Sequence, residues 1–163
     1  MAMQHTPLLM SKIIDRGAKV APNEEIVTAT ENGVRRQTYK ETRDRAHQLA
    51  HALADAGIAV GDRVGTFMWN GSRHLEAYQA CAGMGAVLHT LNIRLSEKDL
   101  EYIINHAEDQ IIIVDADILP LLEKLEGKMP TVRQVVIATE EGFEGWSTQL
   151  PHAVDYEDFI KDK

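Results

Sequence analysis

Cysteine is nearly missing from this sequence. A single one, Cys81, stands among 163 residues, which excludes an internal disulfide and any metal site built from several thiolates. Its neighbours Ala80 and Ala82 place it in an apolar stretch, where a small buried thiol is the expected role. Long hydrophobic runs are missing too. None approaches the ~20 residues that a membrane-spanning helix needs. The start, Met1 to Pro7, has no basic region followed by an apolar one, as a secretory signal would. A cytoplasmic location is the expectation that follows. Basic residues are the minority, 17 Lys and Arg against 25 Asp and Glu, so the formal charge is −8. That balance disfavours a nucleic-acid partner, because binding a phosphate backbone takes clustered cations that displace counterions. There is also no low-complexity tract and no internal repeat.

What is present is the composition of a globular domain, 44% hydrophobic and 26% charged, long enough to bury a core. Leu9, Ile13, Ile14 and Ala18 lie close to helical spacing, which predicts a helix over Leu8 to Val20, opened by Pro7 and stopped by Pro22. Two strand-like runs, Glu25 to Thr30 and Arg35 to Tyr39, flank Glu31-Asn32-Gly33, and an Asn-Gly turn there predicts a β-hairpin. Thr38 and Glu41 have capping-box spacing. The helix they open carries the apolar stripe Ala46, Leu49, Ala50, Leu53 and Ala54, with Gly57 placed to close it.

From Arg63 onward, strand and helix alternate four times. The strands are Arg63 to Trp69, Val87 to Leu91, the uninterrupted apolar run Ile111 to Val114, and Val132 to Ile137. The helices open at Asn70-Gly71-Ser72, at Ser96 with Asp99, and at about Ile118. This pattern predicts an α/β fold: a mostly parallel sheet flanked by helices, preceded by an N-terminal helix and a β-hairpin. Residues 140–163, with the acidic Glu140-Glu141-Gly142-Phe143-Glu144-Gly145, read as loop-rich apart from a helical turn near Asp155 to Lys161.

Several fragments resemble chemical motifs without completing them. Gly57-x3-Gly61-x3-Gly65 lacks the Lys-Ser/Thr of a phosphate loop, and turn duties account for its glycines. Gly83-Met84-Gly85 is half a dinucleotide fingerprint and follows a helix, so close packing is the better account. His47 and His51 share a helical face, but no glutamate follows His47 and no third ligand is evident. Asp115 and Asp117 close a strand without the acidic pair and lysine that would make a phospho-receiver pocket. No metal site is expected. Ligands of open α/β sheets bind beyond the carboxyl ends of strands. Trp69 and Asn70 follow one such end and Asn92 another. These three residues are the candidate wall of a substrate cleft, with backbone capping as the alternative role of the asparagines.

The order of these pieces resembles a known family. Thr38-Tyr39-Lys40-Glu41, Ala46-x-x-Leu49-Ala50-x-x-Leu53 and Gly57-Ile58-x-x-Gly61-Asp62-Arg63-Val64 resemble the opening of adenylate-forming, AMP-binding acyl-CoA synthetases. Trp69-Asn70, Arg73-His74-Leu75-Glu76-Ala77-Tyr78, Gly83 to Thr90 and Tyr102 to Asp109 are similar to the medium- and long-chain fatty acyl-CoA synthetase branch. One departure is Ile93, where the branch usually has proline after the asparagine; it frees the local φ and restores a backbone donor.

The resemblance implies a ligase that activates a carboxylic acid, here a fatty acid, with ATP and magnesium to an acyl-adenylate, releases pyrophosphate, and passes the acyl group to coenzyme A. It implies that residues 1–163 are the N-terminal subdomain of such an enzyme. The family's Ser/Thr/Gly-rich loop ending in Pro-Lys-Gly has no counterpart in these residues. No catalytic or cofactor-binding residue is therefore carried over, and the chain alone is expected to be inactive, with ATP, magnesium and coenzyme A bound only by the whole enzyme. A homodimer is also implied, with the Leu8 to Val20 helix as candidate contact. Two alternatives stay open: a non-catalytic α/β dimerisation or regulatory module, and a ligase for a short or sulfur-containing acid.

Overall fold

Capping and packing fix the elements that lead into the sheet. The computed structural model describes residues 9–30, 33–140 and 145–163. Helix α1 spans Ser11–Val20, strands β1 and β2 span Glu25–Thr30 and Gly33–Thr38, and α2 spans Tyr39–Asp55. The expectations placed on Pro7, Leu8, the Glu31-Asn32 half of the turn and residues 141–144 lie outside the described residues. The hairpin is antiparallel, pairing Glu25 with Thr38 through to Thr30 with Gly33, and Gly33 takes a φ of 129° at its closed end. The capping box forms: Thr38 N–H donates to Glu41 Oε2 at 2.8 Å, and Glu41 N–H donates to Thr38 Oγ1 at 3.2 Å. The buried stripe of α2 runs Thr42, Ala46, Leu49, Ala52 and Leu53. Ala54, expected in it, is exposed.

Five parallel strands follow: β3 Arg63–Phe67, β4 Val87–Thr90, β5 Ile111–Asp115, β6 Gln134–Ala138 and β7 Val154–Asp155. Helices α3 Ser72–Met84, α4 Glu97–Ala107, α5 Leu119–Glu123 and α6 Tyr156–Ile160 alternate with them or follow. Strand β5 is buried on both sides. Ile111 and Ile113 join Leu49, Leu53, Val64, Val136 and Tyr156 in one core layer. Ile112 and Val114 join Phe67, Leu100, Ile104, Leu122 and Ile137 in the other. That double burial explains why the run is continuously apolar rather than alternating.

The helical turn expected near Asp155 to Lys161 is α6, whereas β7 falls in a stretch read as loop. A two-residue strand has no periodicity to detect. What holds it is tertiary: Tyr156 is fully buried and its hydroxyl donates to Glu76 Oε2 at 2.6 Å. Glu76, also fully buried, accepts from Gln37 Nε2 and Arg45 Nε, each at 2.8 Å. One carboxylate on α3 thus ties together the hairpin, α2 and α6.

The strand order is β4-β3-β5-β6-β7. The chain leaves β3 toward one edge, returns across it, and builds the other edge from β5 onward. This is the doubly wound 2-1-3-4-5 order, whose reversal point lies at the carboxyl ends of its first and third strands, here β3 and β5.

Candidate functional site: a crevice at the strand reversal

Beyond the carboxyl ends of β3, β5 and β6 lies a crevice of about 680 Å³, roofed by Thr28 to Thr30 of the hairpin. It sits where the strand order reverses, the position at which helices on opposite faces part and leave a cleft. Trp69 and Asn70, expected as a cleft wall, both line it. Asn92 does not. It follows β4, the edge strand on the far side of β3, and its Oδ1 accepts the Arg94 N–H at 3.0 Å in a local turn.

Trp69 is held at both ends. Its backbone N–H donates to Asp115 Oδ2 at 2.7 Å, and its indole Nε1–H donates to Asp117 Oδ2 at 2.8 Å. Trp69 as a whole remains 49% exposed and lines the cleft. The two aspartates, which do not make a phospho-receiver pocket, are thus the brackets of this tryptophan. Burial raises the Asp115 carboxyl from 3.8 to about 6; Asp117 and Glu140 add to this, while the Trp69 N–H and Arg73 oppose it.

His74, in the first turn of α3, closes the floor. Its Nδ1 lies 3.2 Å from the Trp69 carbonyl and its Nε2 lies 3.0 Å from Thr66 Oγ1. A carbonyl can only accept, so Nδ1 carries the proton and Nε2 accepts from the threonine hydroxyl. Burial holds the ring's pKa below the usual histidine value, and the bond to the Trp69 carbonyl only partly opposes this. The crevice therefore contains a neutral imidazole used for positioning.

On the hairpin side, Glu140 accepts from Arg35 Nη2 at 2.6 Å and from Arg73 Nη1 at 3.1 Å. This trio separates the crevice from a wider polar cavity of about 1130 Å³ beneath the hairpin. In that cavity Arg45 and Arg73 both bind Glu157. Burial alone would raise the Glu157 carboxyl, but the two guanidiniums outweigh it and hold it low.

The lining decides what the crevice can take. Among the described residues, Asp115, Asp117 and Glu140 face two cations, Arg35 and Arg73, and both already bind Glu140. A polyphosphate would meet three carboxylates and no free guanidinium, so it does not fit. A neutral or apolar group does, against the face of Trp69 with Asn70 as donor and acceptor. Sequence reasoning named Trp69 and Asn70. It did not reach Arg35, Arg73, His74 and Glu140, which come from separate elements and are joined only by the fold.

The other fragments play the roles of ordinary structure. Gly57 and Gly61 take positive φ in turns, and Gly85, at φ 81°, closes α3. His47 Nε2 lies 3.6 Å from Asp15 Oδ1 on α1. Cys81 is fully buried, and burial pushes its thiol up to about 12.

Comparison with known proteins places this architecture. Residues 14–160 match the AMP-binding enzyme family. The chain is 43% identical over 145 residues to a long-chain-fatty-acid–CoA ligase of Thermus thermophilus, covering 88% of this chain and 27% of that protein. It is 43% identical over 136 residues to a 3-methylmercaptopropionyl-CoA ligase of Ruegeria pomeroyi, covering 83% of this chain and 25% of that one. It thus spans about a quarter of the length of these relatives. Among solved structures, a putative long-chain-fatty-acid CoA ligase from Rhodopseudomonas palustris superposes with a TM-score of 0.79 at 19% identity, over 98% of this chain and 38% of that one, a likeness of fold. With the family's match running from α1 to α6, the chain belongs to the AMP-binding enzyme family.

Proposed function

We propose that this chain is the N-terminal framework of an ATP-dependent acid–CoA ligase that joins a fatty acid to coenzyme A. ATP and coenzyme A are reactants of that whole enzyme, magnesium accompanies the ATP, and the cytoplasm is its setting. The observation that carries the reading is the reversal-point crevice walled by Trp69 and Asn70, in a chain matched to AMP-binding enzymes over residues 14–160. In this role the chain contributes an apolar wall for the acid. The nucleotide is held by residues the chain does not contain, a division supported by the carboxylate-rich lining that disfavours phosphates.

A second acid class has an observation in its favour. The Ruegeria relative, named for a sulfur-containing acid, is as similar as the fatty-acid relative, 43% identical in each case. Segments this alike serving different acids support chain-length selection outside this region.

Two measurements test the proposal. The 163-residue chain assayed for carboxylate-dependent ATP–pyrophosphate exchange is expected to show none; exchange by the chain alone would overturn the division of labour. The wall is tested by fluorescence. The sequence has two tryptophans, so Trp146→Phe leaves Trp69 as the sole indole. Titration with a fatty acid is expected to shift its emission, and emission indifferent to the acid would remove Trp69 from the wall.

A further inference from the structure

We propose that His89 is the counter-ion of the buried Asp109 carboxylate, and that the pair latches edge strand β4 to the sheet. The inference does not depend on the reaction proposed above, and every contact in it lies inside this chain. Asp109 is fully buried. It follows α4, where Glu108 turns the chain at a φ of 56° and the Asp109 N–H donates to the Ile104 carbonyl at 3.1 Å. Its carboxylate reaches across β3 to β4: His89 Nδ1 lies 3.0 Å from Asp109 Oδ1 and 2.8 Å from Oδ2. The crossing is open because the β3 residue paired with His89 is Gly65. A Cβ there would stand 3.2 Å from Asp109 Oδ2, 3.2 Å from Ile112 Cγ1 and 3.3 Å from Leu91 Cδ1.

A buried carboxylate is costly without a partner. Among the described residues, His89 is the one side chain that hydrogen-bonds this carboxylate. Burial raises the Asp109 carboxyl above its usual value; the His89 bond and charge oppose this, and Arg63 opposes it by charge alone. Arg63 is already occupied, with its Nη2 2.6 Å from Glu108 Oε2 and its Nε donating to the Ala107 carbonyl. The other close neighbours, Leu91 and Ile112, are apolar. Strand β4 has little else to hold it. It is four residues long, lies at one edge of the five strands and pairs with β3; Val87 and Thr90 are exposed, and Leu88 and His89 are half-buried. The latch therefore joins this edge to the connection between α4 and β5, the strand at the centre of the sheet.

Hydrogen exchange tests it. The N–H groups of Val87 and Leu91 donate to the Asp62 and Thr66 carbonyls at 2.8 and 2.9 Å, so they report on opening of β4. His89→Ala leaves the buried charge alone, and at pH ~7 these amides are expected to exchange on the order of a hundredfold faster than in the parent. Adding Asp109→Asn removes the charge and should recover at least about tenfold of that loss. A packing role for His89 would give no such recovery. The gap between the single and double variants is also expected to close as pH falls toward ~4, where Asp109 binds a proton and needs no counter-ion, whereas asparagine does not titrate. Arg63 and Glu108 are common to both variants and cancel. Unchanged exchange in His89→Ala, no recovery in the double variant, or a gap that ignores pH would each overturn the proposal. If His89→Ala does not fold at pH ~7, the double variant is expected to fold, and its failure to do so would overturn the proposal as well.

Discussion

Replacing Asp115 by asparagine should stabilise the folded chain near neutral pH, and the size of the effect follows from where Asp115 sits. In the fold its carboxyl titrates at about 6 instead of 3.8, chiefly because it is buried, with Asp117 and Glu140 adding repulsion. The difference makes the ionised form about 3 kcal/mol less favourable folded than unfolded. Partial solvent access at the crevice reduces this to about 1–3 kcal/mol. The sign follows from proton binding. Below pH ~4 the carboxyl is protonated in both states and carries no penalty. Between ~4 and ~6 the folded chain keeps a proton that the unfolded chain has lost, so stability falls as pH rises. Above ~6 the whole penalty is present. Asparagine removes the charge while its amide oxygen can still accept the Trp69 N–H. His74, which is present in both proteins, cancels in the comparison. Thermal unfolding followed by circular dichroism should therefore show Asp115→Asn melting about 3–9 °C higher than the parent at pH ~8. The gap should close toward pH ~4. A variant that is less stable at pH ~8, or a gap that ignores pH, would refute the reasoning.

Two further substitutions test the framework around the crevice. Glu76→Ala removes the buried carboxylate that binds Gln37, Arg45 and Tyr156, and urea unfolding should show a loss of about 3–5 kcal/mol. A loss under about 1 kcal/mol would mean that the cluster is not a fastening. Gly65→Ala on β3 would set a methyl 3.2 Å from both Asp109 Oδ2 and Ile112 Cγ1. Overpacking there should cost about 1–3 kcal/mol, and an unchanged melting temperature would show that the neighbours can give way.

Much of the fold was legible because its signals are local. The capping pairs Thr38 with Glu41 and Ser96 with Asp99 sit three residues apart and form as the spacing predicts. The unbroken Ile111 to Val114 run announces a strand covered on both faces. The candidate site was half legible. Trp69 and Asn70 could be named because they follow a strand, but the partners of Trp69 lie 46 and 48 residues away. Nothing local distinguishes Asp115 and Asp117 from an acidic strand end. Asn92 shows the same gap from the other side. Its strand lies beyond β3 in the sheet order, and order across a sheet is decided by which strands pack together. Likewise β7 is held in place by the buried Tyr156–Glu76 contact next to it, across 80 residues of chain.

Under the function proposed above, this chain supplies the framework and acid wall of an AMP-binding acid–CoA ligase, and the nucleotide is held elsewhere in that enzyme. A chimera tests it most directly: residues 14–160, the span matched to the family, replace the corresponding segment of the Thermus thermophilus long-chain-fatty-acid–CoA ligase. The account predicts a folded chimera that keeps fatty-acid-dependent ATP–pyrophosphate exchange, with Trp69→Ala in the chimera raising KM for the acid while KM for ATP holds. A chimera that folds yet shows no exchange, or a Trp69→Ala variant that raises KM for ATP alone, would contradict it.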